Sequence, residues 1–128
     1  FINDSKATNI DATLKAIESG SMNKEEGNIY LICGGDLKNQ NFYKDKLLPF
    51  TAIKKCYVYG KDKKVLHDNL TPFTDVLLCE DLNSAFNNSI NEAVSGDLIL
   101  LSPACSSTDM FLDYKERGNQ FKALVELL

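Results

Sequence analysis

At 128 residues, with 44% hydrophobic and 25% charged side chains, the chain has the size and composition of one globular domain with a single core. Its formal net charge of -4, with lysine and arginine scattered along the chain, argues against a nucleic-acid surface, which needs a basic patch. No apolar run approaches the ~20 residues that cross a bilayer and the start lacks a signal-peptide layout, so a cytoplasmic protein with no membrane partner is expected.

In chain order, Phe1 to Asp4 reads as a short extended lead-in. Thr8 or Asn9 then caps a helix through about Ser19, with Ile10, Leu14 and Ile17 on its buried face and Gly20-Ser21 ending it. After a polar loop containing Gly27, Ile29 to Cys33 forms the first strong strand, and Gly34-Gly35 lets the backbone turn where a side chain would obstruct it. Asn41 to Leu48 holds a short helix stopped by Pro49. Ile53 to Tyr59 is a strand, Gly60 a turn, and Lys61 to Asp68 a helix whose Asp62, Lys63 and Lys64 read as a solvated face and whose His67 points to solvent. Val76 to Cys79 is the next strand. Asp81 caps a helix with Leu82, Ala85, Phe86, Ile90, Ala93 and Val94 on one side, closed by Gly96.

Leu98 to Leu101 is an uninterrupted apolar run, which fits a strand covered on both faces, and Pro103 cannot continue it. Ser106, Ser107 and Thr108 then precede a helix expected to start at Asp109. They serve either as N-caps or, beside free N–H groups at a helix start, as ligands of an anion. Phe121, Leu124, Val125 and Leu128 give the last helix its apolar stripe. Alternating strands and helices imply an α/β fold: a three-layer, Rossmann-like domain with a mostly parallel sheet and helices on both faces. Ligands of such sheets bind outside the carboxyl ends of the strands, here Gly34 to Lys38 and Ser102 to Thr108.

Cys33, Cys56, Cys79 and Cys105 lie far apart with no Cys-x-x-Cys pair, and His67 is the single histidine, so a metal site has little support. Each falls at or just after a strand end, where cysteine serves as a small apolar residue; unpaired, mostly buried thiols are expected.

Three blocks carry a resemblance. Ser102-Pro103-Ala104-Cys105-Ser106-Ser107, with Asp109, Phe111 and Arg117-Gly118-Asn119-Gln120-Phe121, resembles the C-terminal signature of the Mur ligases. Phe1-Ile2-Asn3-Asp4-Ser5-Lys6-Ala7-Thr8-Asn9 is similar to the segment leading into their C-terminal domain, and Gly34-Gly35-Asp36-Leu37-Lys38 to a third block. The form Asn-Asp-Ser-Lys-Ala-Thr-Asn resembles the members that add D-glutamate to UDP-N-acetylmuramoyl-L-alanine, and differs from those adding alanine, diamino acids or dipeptides.

The resemblance implies that residues 1–128 are the C-terminal, D-glutamate-binding domain of an ATP-dependent amide-forming ligase of peptidoglycan precursor synthesis, inactive alone and cut at the linker before Phe1. The chain has no Gly-x-x-x-x-Gly-Lys-Ser/Thr phosphate loop. By resemblance that loop and the magnesium ligands belong to a central domain, the partner of this one, and the uridine nucleotide site to an N-terminal domain. Carried over by position, Lys38 pairs with a carboxylate of D-glutamate, Ser107 and Thr8 donate hydrogen bonds to it, and Tyr114 stands where the family has a phenylalanine whose backbone helps hold it. Asp4 and Lys6, with Thr8, match positions that reach ATP, the aspartate toward the ribose and the lysine toward the phosphates. No residue is a catalytic base, and no metal or cofactor is expected in this part alone. A sister ligase of the same family, or a stand-alone α/β binding module, are the alternatives.

Overall fold

In the computed structural model, which describes residues 1–22 and 27–128, five strands form one all-parallel sheet. In chain order the elements are β1 (Ile2–Asn3), α1 (Ile10–Met22), β2 (Ile29–Gly34), a 3-10 segment (Lys44–Ala52), β3 (Lys55–Tyr59), α2 (Lys63–Leu70), β4 (Asp75–Leu78), α3 (Leu82–Glu92), β5 (Leu98–Leu101) and α4 (Tyr114–Glu126). Most of the polar loop expected before β2 lies outside the described residues. Spatial order in the sheet is β1-β5-β2-β3-β4. β2 is therefore central, and all six of its residues are buried.

Strand alternation sorts the core into two layers. Ile29, Leu31 and Cys33 of β2, with Cys56, Val58 and Leu100, pack against Ile10 and Ile17 of α1, Leu47 and Phe50 of the 3-10 segment, and Leu66 and Leu70 of α2. Tyr30 and Ile32, with Tyr57, Tyr59, Ile99 and Leu101, face Leu82, Ala85 and Phe86 of α3 and Phe121 of α4. These layers place helices on both faces, the α/β arrangement expected from the alternating elements. All four cysteines are free and buried.

Several boundaries differ from the sequence reading. Helix α1 runs through Gly20-Ser21 to Met22, because a Cβ on Gly20 would lie 3.3 Å from Leu98 Cδ2: this glycine permits close helix-to-strand approach instead of ending the helix. Pro49 sits inside the 3-10 segment, not at its end. The lead-in is a strand, because Ile2 and Asn3 pair in parallel with Leu100 and Leu101. Helix α3 ends at Glu92, with Ala93 extended, four residues before Gly96. Leu128 is exposed, outside the stripe of α4.

The largest correction concerns Asp109. No helix begins there: residues 109–113 form turns, and α4 starts at Tyr114, where Glu116 N donates to the Asp113 side chain at 2.9 Å and Glu116 Oε2 accepts from Leu112 N at 3.1 Å. This reciprocal cap satisfies the helix start at Asp113, five residues beyond the last of the hydroxyls. Ser106, Ser107 and Thr108 therefore do not border a helix N-terminus.

Candidate functional site at the carboxyl rim

The chain leaves β2 at Gly34 and β5 at Leu101, neighbouring strands whose following loops are tied together. Gly34 N donates to Pro103 O at 3.0 Å, while Asp36 N to Ser106 O (2.9 Å) and Ser106 N to Asp36 O (2.8 Å) form an antiparallel bridge. Gly35, at φ +130°, is required here, since a Cβ on it would stand 2.3 Å from Ser106 O. Lys38 lies two residues beyond this bridge and Ser107 one residue beyond it. The glycine pair and the serine run thus converge on one rim.

Asp36 organises the β2 side of that rim. Its Oδ1 accepts from Lys38 N at 2.9 Å, and its Oδ2 lies 3.6 Å from both Lys38 Nζ and Lys61 Nζ. The Lys38 amide, with the two nearby ammonium groups, holds the Asp36 carboxyl below its ordinary value. Lys38 itself is held at φ +52°, a left-handed conformation that lysine rarely adopts. Asp62, read from sequence as solvated, accepts from Leu37 N at 2.7 Å and donates its own amide to Gly35 O at 3.1 Å. Lys63, of the same run, donates to Cys79 O at 3.1 Å. An open cleft of about 660 Å³ borders Asp36, Lys38, Lys61, Glu80, Thr108 and Asp109.

On the β5 side, Ser107 is 3% exposed, and its hydroxyl has no hydrogen-bond partner among the described residues. Its carbonyl accepts from Met110 N and Phe111 N, which curls the chain after it. Ala104 has φ +62° and Gln40 Nε2 donates to its carbonyl at 3.0 Å, while Gln40 Oε1 accepts from Ile10 N at the start of α1.

Behind both loops lies Arg117, 0% exposed, which donates from Nη1 to Cys105 O (2.9 Å), from Nη2 to Ser5 O (2.7 Å) and from Nε to Ser5 Oγ (3.0 Å). Burial pulls its guanidinium below the ordinary value, partly opposed by Tyr59 and Cys105. Arginine nevertheless stays charged in proteins. In the sequence Arg117 and Asp36 stand within signature blocks with no role of their own, Asp62 reads as solvated, and Lys61 carries no signal. A buried arginine cannot be told from an exposed one by spacing alone.

The remaining candidates fall around the lead-in segment. Asp4 N pairs with Leu101 O at 2.7 Å, and Asp4 Oδ2 accepts from Ser102 Oγ at 3.0 Å. Asp4 and Lys6 border a separate groove of about 750 Å³ beside α1 and β5. Lys6 is exposed, with no ion-pair partner among the described residues. Thr8 is half-buried, with its amide on Lys6 O at 2.8 Å; the cap of α1 is Asn9, whose side chain accepts from Ala12 N at 2.9 Å. The Tyr114 carbonyl accepts from Ser5 Oγ at 2.7 Å, so this main-chain atom is engaged within the fold. Lys38 and Ser107 therefore share one rim, whereas Asp4 and Lys6 share another groove. Among the described residues, no group of three or more His, Cys, Asp or Glu side chains could hold a metal ion.

The family model described as "Mur ligase, glutamate ligase domain" matches residues 1–105. A UDP-N-acetylmuramoylalanine--D-glutamate ligase of Hydrogenobaculum sp. is 43% identical, over 97% of this chain and 29% of its own length. Proteins of the same name from Teredinibacter turnerae and Coxiella burnetii are each 40% identical, over 98% and 100% of this chain and 27% and 29% of theirs. The chain thus spans less than a third of the length of these relatives.

Proposed function

The chain belongs to the Mur ligase family, in its glutamate ligase domain, and from that premise we propose that it is the C-terminal domain of an ATP-dependent ligase joining D-glutamate to UDP-N-acetylmuramoyl-L-alanine. The observation that carries this reading is the bridged pair of strand ends, Asp36 to Ser106, which presents Lys38 and Ser107 on one rim. A dicarboxylate amino acid needs at least one fixed cation and several donors. Lys38 supplies an ammonium on a backbone locked by Asp36, and Ser107 a hydroxyl that no protein group occupies among the described residues.

ATP, held with magnesium mainly by the central domain, supplies the phosphoryl group that activates the carboxylate of the uridine nucleotide. The residues of this chain hold the amine component and orient its nitrogen toward that carboxylate, so their contribution is positioning and electrostatic stabilisation. Asp4 and Lys6 suit a nucleotide's edge, since the lysine is unpaired among the described residues and one Asp4 oxygen is taken by Ser102. Among the described residues no group of carboxylate, histidine or cysteine side chains suits the metal. Thr8 and Tyr114 complete the amino-acid site, the tyrosine through its amide or ring, since its carbonyl is bonded to Ser5.

The test is phosphate release by the full-length protein with ATP and UDP-N-acetylmuramoyl-L-alanine, offered D-glutamate, L-alanine, a diamino acid or a D-alanine dipeptide in turn. Turnover with D-glutamate alone is expected, and none from residues 1–128 by themselves. Turnover with a diamino acid and not D-glutamate would assign the chain to a sister ligase.

A further inference from the structure

We infer that Lys61 is a second cation of the amino-acid site, acting with Lys38 so that a dicarboxylate amino acid is held by both of its acid groups. This rests on the reading of the rim as the amino-acid site. It adds a residue from a third strand end, β3, next to β2 in the sheet.

The turn that carries Lys61 is built to stay in place. Gly60 has φ +87°, and a Cβ on it would lie 2.7 Å from Gly35 N and 2.9 Å from Asp109 Oδ2, so the turn closes directly onto the β2 exit. Lys61 N donates to Asp109 Oδ2 at 2.9 Å. The Lys61 backbone is thus fixed by the loop after β5, while its side chain reaches over the loop after β2.

Its ammonium lies 3.6 Å from Asp36 Oδ2, the same oxygen that Lys38 Nζ approaches at 3.6 Å. That separation is longer than the ~2.7–2.9 Å of a charge-assisted hydrogen bond, and an ammonium has three donors, so each lysine keeps donors for a ligand while paired with Asp36. The two lysine side chains are 61% and 63% exposed, whereas Asp36 beneath them is 15% exposed. One carboxylate neutralises one of the two cations, and the pair retains an unbalanced positive charge facing the cleft. Glu80 and Asp109 also border the cleft, which is therefore unfavourable to an anion away from the lysines. A zwitterionic amino acid with a second carboxylate suits such a mixed surface: its acid groups go to Lys38 and Lys61 and its ammonium to the acidic side. An amino acid with an uncharged side chain would leave Lys61 without its ligand, which is how the site would discriminate.

The experiment compares Lys61→Ala, Lys61→Met and Lys38→Ala in the full-length ligase, with steady-state kinetics for D-glutamate and for D-glutamine, which lacks the second carboxylate. Both Lys61 variants should raise the KM for D-glutamate at least about tenfold with kcat changed less than about twofold. The preference for D-glutamate over D-glutamine should narrow by a similar factor, and the KM values for ATP and the uridine nucleotide should stay put. Lys61→Met keeps the length of the stem, so equal losses in both variants assign the effect to the charge. A wild-type KM for D-glutamate in both Lys61 variants, with a raised KM in Lys38→Ala, would overturn the role of Lys61 and leave the site where it is. Wild-type values in all three would reject the rim as the amino-acid site and the inference with it.

Discussion

Arg117 donates to both oxygens of Ser5, a residue 112 positions earlier: Nε to the hydroxyl at 3.0 Å and Nη2 to the carbonyl at 2.7 Å. Its remaining contact, to Cys105 O, means that one buried cation fastens the lead-in segment to the loop after β5. Arg117→Met would leave the Ser5 and Cys105 carbonyls unpaired in the interior and the Ser5 hydroxyl with only its bond to Tyr114 O, while sparing the cost of burying a charge. The net loss should be about 2–4 kcal/mol. Arg117→Lys should recover little of it, because one ammonium lacks the planar fork that reaches all three acceptors. Urea unfolding of the two variants measures both values.

Lys38 and Ser107 should act on D-glutamate and on nothing else. In the full-length enzyme Lys38→Ala and Ser107→Ala are each expected to raise its KM at least about tenfold, a loss of ~1.4 kcal/mol or more. The KM for the uridine nucleotide should hardly move, since another domain is proposed to bind it. Wild-type kinetics in both variants would refute the assignment of these two residues.

Gly35→Ala tests the bridge between the loops. The new methyl would meet Ser106 O at 2.3 Å with the backbone at φ +130°, so either Asp36–Ser106 pairing or the local backbone must give way. A destabilisation of about 1–3 kcal/mol is expected, together with a raised KM for D-glutamate. Thermal unfolding and kinetics on the same preparation check the two effects.

Buried thiols and phenols set the alkaline limit of stability. Burial pushes Cys105, Tyr57 and Tyr59 well above their ordinary values of 9.0 and 10.0, and Cys33 rises through its neighbour Cys56 and through burial. Folded-state values above the unfolded ones mean that the native state keeps protons which the unfolded chain releases. Stability is therefore fully present below about pH 9 and falls as pH rises past the unfolded values. The denaturant midpoint should be flat from pH 7 to 8.5 and drop steadily from pH 9 to 11. An unchanged midpoint at pH 11 would contradict this.

The same burial predicts inert cysteines. A thiol reagent should find almost none of the four reactive at pH 8 in the native chain and all four in denaturant without reductant. Fewer than four in denaturant would mean that a disulfide forms in solution.

How much could be read from the residues depended on whether a signal was periodic or positional. The apolar run at Leu98 to Leu101 and the alternation of strand and helix gave the sheet and its layers, because burial on both faces leaves a mark in every strand residue. The Gly34-Gly35 and Ser106-Ser107 stretches pointed to strand ends that the structure bridges, for the same reason, each following an apolar strand. Local competition leaves less trace in the residues: Asp113 with Glu116 outbids the earlier hydroxyls as a helix start, and Gly20, a stop by its residue type, serves the contact with Leu98 instead. Asp36, Asp62 and Arg117 work through partners distant in sequence or through backbone atoms, which no spacing rule reports.

Strand β1 is only two residues long, yet it is zipped in parallel to Leu100 and Leu101, and the next residue, Asp4, is bonded to Leu101 O and Ser102 Oγ. Mechanically this makes the first residues a short lever instead of a tether. A rotation imposed at Phe1 would be passed within three residues, through Asp4, to Ser102 at the head of the loop that carries Ser107.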